Sequence, residues 1–93
     1  MRISNNANPK TLEVKILKPR GDVETRTVKS FTEIQKIVGG YVEMFTVNGV
    51  TFLCNEEASY GTHELNQTMY HMGEYIRGNV VQPLGDIDVL SYE

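Results

Sequence analysis

A chain of 93 residues, 40% hydrophobic and 23% charged, suffices for one domain around one modest core. Its formal net charge of −3 argues against direct nucleic-acid binding, which rests on basic surface, and no apolar run approaches the roughly 18 residues of a membrane-spanning helix. One cysteine allows no internal disulfide and the first residues lack an apolar signal core, so a cytoplasmic protein with no membrane partner is expected, in the host cell if the chain is phage-encoded.

Residues 1–10 are polar and without period, which predicts a loose arm ahead of a single α+β domain over 11–93. Residues 11–18 alternate, with Leu12, Val14 and Ile16 on one side and Glu13 and Lys15 on the other, as a strand requires. Pro19, Gly21 and Asp22 supply a turn, and Val23–Val28 reads as a more polar strand suited to a sheet edge. Ser30 and Glu33 then have the spacing of a capping box, in which the hydroxyl accepts from the Glu33 amide and the carboxylate reaches back to the Ser30 amide. Phe31, Ile34, Ile37 and Val38 fall on one face of a short helix, and Gly39 is placed to end it in the left-handed conformation.

Two apolar runs, 41–47 and Val50–Asn55, flank Asn48-Gly49, the dipeptide best suited to a two-residue hairpin turn with positive φ at both positions. The register follows from that turn. Val47 opposes Val50, Phe45 opposes Phe52 and Glu43 opposes Cys54 on one face; Val42, Met44 and Thr46 oppose Asn55, Leu53 and Thr51 on the other. Neither face is clearly polar, so a cover is expected on both.

Past the hairpin, residues 58–61 read as loop. Leu65, Met69, Met72 and Ile76 mark the stripe of a second helix, capped by Thr62 and ended at Gly73. A strand over 77–82 stopped by Pro83, a turn at residues 84–86, and a last strand over 87–92 complete the pattern. The expected fold is α+β, order ββαββαββ: a small, mostly antiparallel sheet of five to six strands with two short helices on one face.

The run Val38-Gly39-Gly40-Tyr41-Val42-Glu43, the hairpin, Cys54-Asn55-Glu56-Glu57, an asparagine at Asn66 and the late Ile76-Arg77-Gly78-Asn79-Val80-Val81 resemble a known family. It is the domain of unknown function 3846, small proteins common in bacteriophages, plasmids and some bacterial genomes. The resemblance covers most of 12–81 and implies a fold and a phage-like provenance, but no activity and no cofactor. The resemblance also implies that the second helix starts later than Thr62, nearer Asn66, and it departs at Ala58 and Leu65, where members show glycine and proline. It makes Tyr41, Glu43, Asn55, Glu56, Glu57 and Asn66 the first binding-site candidates, in a ligand-holding or loop-fixing role.

No catalytic spacing stands out. Cys54 lacks a base and electropositive surroundings, and its cross-strand neighbour Glu43 raises a thiol pKa, so a buried structural thiol is expected. His63 and His71 are eight apart, about two turns from each other instead of the i, i+4 spacing that aims two imidazoles at one metal, and no metal site is expected. The adjacent Glu56 and Glu57 suit capping of loop amides better than paired acid–base work. His63, Gln67, Tyr70, His71 and Glu74 form the polar stripe of the second helix, either a solvated face or, with Tyr60 and Tyr70 as interface-favouring rings, a surface for a partner.

These readings lead to a non-enzymatic accessory protein of a phage or mobile element that binds a host protein, for host takeover or anti-defence. The alternative is a binder of a small ligand or nucleotide signal, at a subunit interface near Tyr41, Glu43, Asn55 and Glu56, with Arg77 as the nearby cation. A homodimer is expected, because two helices on one face leave an apolar sheet face to be covered, either by a second copy or by Ile87, Val89 and Leu90 folding back.

Overall fold

The computed structural model describes residues 10–91; the expected arm, apart from the exposed Lys10, and the end of the expected last strand lie outside them. Strands β1 (Leu12–Leu17) and β2 (Val23–Val28) form one hairpin, and helix α1 (Phe31–Val38) leads to a second, β3 (Val42–Val47) and β4 (Val50–Asn55). Helix α2 (Gln67–His71) precedes β5 (Val80–Pro83), and a 3-10 turn follows at Ile87–Val89. The sheet has five strands in the order β2-β1-β5-β4-β3, every neighbouring pair antiparallel. The last strand in sequence thus fills the centre between the two hairpins. Val80 and Val81, one for each face, are both fully buried, which is the pattern a central strand demands.

The second hairpin has the expected register at all six pairs, from Val42↔Asn55 to Val47↔Val50. Asn48 (φ 51°) and Gly49 (φ 82°) take the two positive-φ positions of its turn. Helix α1 is capped at both ends as its sequence requires. Ser30 Oγ accepts from the Glu33 amide at 3.4 Å, and Gly39 sits at φ 85° with its amide donating to Gln35 O at 2.8 Å. One detail differs: the Glu33 carboxylate accepts from the Lys29 amide at 2.6 Å instead of the Ser30 amide, so the reciprocal bond shifts by one residue.

Alternation along the strands sorts the apolar residues into two clusters. On one face Leu12, Val14, Ile16, Val28, Leu53 and Val81 pack with Ile34 and Val38 of α1 and with Leu90. On the other, Leu17, Val47, Phe52, Cys54 and Val80 pack with Ala58 and with Met69 of α2. The helices therefore do not share a face, contrary to expectation. Met69 of α2 packs only with the cluster on the side α1 leaves bare. The premise of an open apolar face disappears with it, and Ile87, Val89 and Leu90 do fold back, onto the α1 side.

Three boundaries also move. Asn66, not Thr62, caps α2, and Leu65 and Ile76 of the predicted stripe lie outside a five-residue helix. The β5 strand starts at Val80 because Gly78, at φ 86°, turns the chain just before it. In place of a strand over 87–92, Asp86 Oδ1 accepts from the Asp88 amide and starts the 3-10 turn, after which Ser91 O accepts from the Phe31 amide at 2.7 Å.

Candidate functional site

The asparagines that flank the long connection between β4 and β5 are committed to holding it. Asn55 Nδ2 donates to Val38 O at 3.1 Å, tying β4 to the end of α1, while its Oδ1 accepts from the Glu57 amide at 2.8 Å. Gly40 must be glycine for this contact, since a Cβ there would stand 2.9 Å from Asn55 Nδ2. Asn66 is fully buried and uses both of its donors and its carbonyl oxygen: Nδ2 donates to Leu17 O and to Gly78 O, both at 2.8 Å, and Oδ1 accepts from the Met69 amide at 3.1 Å. One side chain thereby caps α2 and pins β1, α2 and the chain entering β5 together. Asn55 and Asn66 are loop-fixing residues, one of the two roles expected of them.

The remaining binding candidates separate. Glu56 and Glu57 are exposed in the turn after β4. The Glu57 carbonyl accepts from the Tyr60 and Gly61 amides, so main chain and Asn55, not a glutamate side chain, shape that turn. Tyr41, 71% exposed, borders a shallow depression with Gln35, Lys36 and Gly40 at the end of α1. Glu43 and Asn55 line a different cleft of about 230 Å³ on the α2 face, closed by Phe45, Cys54, Glu74 and Ile76. Glu74, expected on the polar stripe of the second helix, lies past the end of α2, and the reversal at Gly73 (φ 89°) brings it into the cleft instead.

This cleft has two carboxylates and no lysine or arginine in its lining, so a phosphate-bearing ligand finds no counter-charge there. Arg77 points elsewhere, donating to His63 O at 3.3 Å. The Cys54 thiol forms part of the lining but is 3% exposed, and burial, assisted by the Glu43 charge, pushes its pKa from the usual 9.0 up to about 11. At neutral pH it is a protonated thiol and a poor nucleophile.

The partner-surface candidates fare differently. Tyr60 is 73% exposed, and His63, Gln67, Tyr70 and His71 are all exposed. The Tyr70 ring lies 5.5 Å from that of Tyr75 and 6.0 Å from that of His71, and Met72 is exposed beside them. Tyr75 completes the cluster for the same reason that Glu74 completes the cleft: the α2 amide and carbonyl pattern closes with Glu74 N on Met69 O, and the next residue swings back along the helix. Among the described residues no group of three histidine, cysteine or acidic side chains is placed to hold a metal ion. None of the helices there is long and apolar enough to cross a membrane.

Fold and site together define a small α+β domain with a five-stranded antiparallel sheet, in which two asparagine side chains brace loops and exposed aromatic residues gather at α2. The family model described as Domain of unknown function (DUF3846) matches residues 12–83, and the chain belongs to that family. No curated protein and no solved structure matches it.

Proposed function

We propose that this chain is a non-catalytic accessory protein of a phage or mobile element that acts by binding a host protein, in host takeover or in countering a defence system. The observation that carries this reading is the cluster of Tyr70, His71, Met72 and Tyr75 around α2. Tyr75 is 68% exposed and Tyr70 45%, yet their ring centroids lie 5.5 Å apart, so an exposed aromatic surface stands ready at little further cost in side-chain order. Tyrosine offers an apolar ring and a hydroxyl in one stiff side chain, which suits a protein interface. The phage-like provenance comes from the family resemblance, and the non-catalytic reading from a protonated, buried thiol and carboxylates without an acid–base partner.

The small-ligand alternative has Glu43 and Asn55 in one cleft in its favour, and the charge of that cleft against a nucleotide. Affinity capture from bacterial lysate tests the main reading. Wild type retains a host protein that the Tyr70→Ala/Tyr75→Ala double variant, with an unchanged melting temperature, fails to retain. Identical captures for both, or none for either, overturn it.

A further inference from the structure

The two edges of the sheet are built differently. Edge strand β2 carries Glu24 and Arg26, whose side chains join at 2.7 Å, with Lys18 on the same carboxylate at 3.2 Å. Arg26 first and Lys18 second hold the Glu24 carboxyl below its usual range, so this edge is charged at neutral pH, which deters strand pairing. Edge strand β3, VEMFTV, has one charge, no proline and no bulge, and its Met44 is 54% exposed.

The direction of its main-chain groups can be read off. The Glu56 amide donates to Tyr41 O at 2.9 Å, so Tyr41 belongs to a hydrogen-bonded pair with the β4 side. Antiparallel ladders alternate, so Glu43, Phe45 and Val47 also bond to β4, and Val42, Met44 and Thr46 direct their amides and carbonyls outward. Among the described residues nothing pairs with that row.

We propose that β3 pairs antiparallel with β3 of a second copy of this chain, forming a homodimer with one continuous sheet. A two-fold axis at Met44 sets Val42 against Thr46 of the partner subunit and Met44 against itself, and it alone matches all three outward residues of each strand. The same register sets Glu43 beside Phe45 of the partner subunit, whereas an axis at Glu43 would oppose two carboxylates directly. Growth stops at two copies, because the contact consumes both β3 edges and leaves only the charged β2 edges outside. The partner strand also walls the open side of the Glu43–Phe45 cleft. This inference does not rest on the partner-protein reading, since it uses the opposite side of the molecule's hairpin and not the α2 surface.

Light scattering and amide hydrogen exchange test it together. Wild type at micromolar concentration has twice the 10.5 kDa mass of one chain, with slow exchange at Val42, Met44 and Thr46. Met44→Lys, which sets two like charges on the axis, halves the mass and frees those three amides while circular dichroism is unchanged. Thr46→Pro removes an outward amide without touching the β4 ladder and has the same effect. A wild-type mass of 10.5 kDa overturns the proposal. So does a dimer whose mass and β3 exchange ignore a folded Met44→Lys or Thr46→Pro variant.

Discussion

Cys54 shows how a single side chain is set by two neighbours of unequal weight. Burial is the larger cause of its raised pKa and the Glu43 charge across the strand pair the smaller. Native protein at pH 8 should therefore react slowly with a thiol reagent and rapidly once denatured; fast native labelling would refute the assignment. Glu43→Gln should lower the thiol pKa from about 11 but leave it above 9.0, since burial persists. The linkage has a definite sign. Between pH 9.0 and about 11 the folded state holds a proton that the unfolded state has released, so stability falls as pH rises through that window, and Cys54→Ala removes that part of the loss. Asn66 is the contrasting case at the same scale. Its residue type, position and cap contact to the Met69 amide three residues on are local, but its partners Leu17 and Gly78 are not, and no spacing along the chain announces contacts brought together by the fold.

At the scale of elements, legibility followed how local the determining interactions are. The hairpin register and both caps of α1 depend on residues within a few positions of one another, and Asn48-Gly49, Ser30 and Gly39 stated them openly. The last strand over 87–92 did not survive, because Ile87, Asp88 and Val89 alternate in apolarity while Asp86 captures the Asp88 amide, and that side-chain turn competes with an extended strand. The α2 stripe failed in a related way. Leu65 and Ile76 are placed by a strand-like contact, Asn66 N on Ile76 O at 2.8 Å, which a helical period of four mimics. Gly39 offers the element-level prediction. At φ 85° a β-branched side chain is strained, and the amides of Gly39 and Gly40 both close on Gln35 O. Gly39→Val should cost more than about 1 kcal/mol in urea denaturation, whereas an unchanged midpoint would remove the left-handed cap from the account.

For the whole molecule, the decisive feature is a sheet covered on both faces, and this was the part least visible in sequence. Composition and period showed that both faces of the central hairpin are apolar, but not which segment would cover each. That depended on β5 entering between β1 and β4, a pairing of residues far apart in the chain. The consequence is measurable at two adjacent residues. Val80 and Val81 are both 0% exposed, yet Val80 belongs to the cluster under α2 and Val81 to the cluster under α1. Each truncation to alanine should lower stability by about 2 kcal/mol, through lost apolar contact and an incompletely filled space. Because the two side chains share no packing partners, the double variant should lose the sum to within about 0.5 kcal/mol, measured by urea denaturation at one fixed protein concentration. Probes on the two faces should report the same transition for each single variant, since the strand that carries both residues is common to both clusters. If the double variant instead departs from the sum by more than about 1 kcal/mol, the faces are coupled through the backbone of β5, and the description of two clusters divided by one sheet fails.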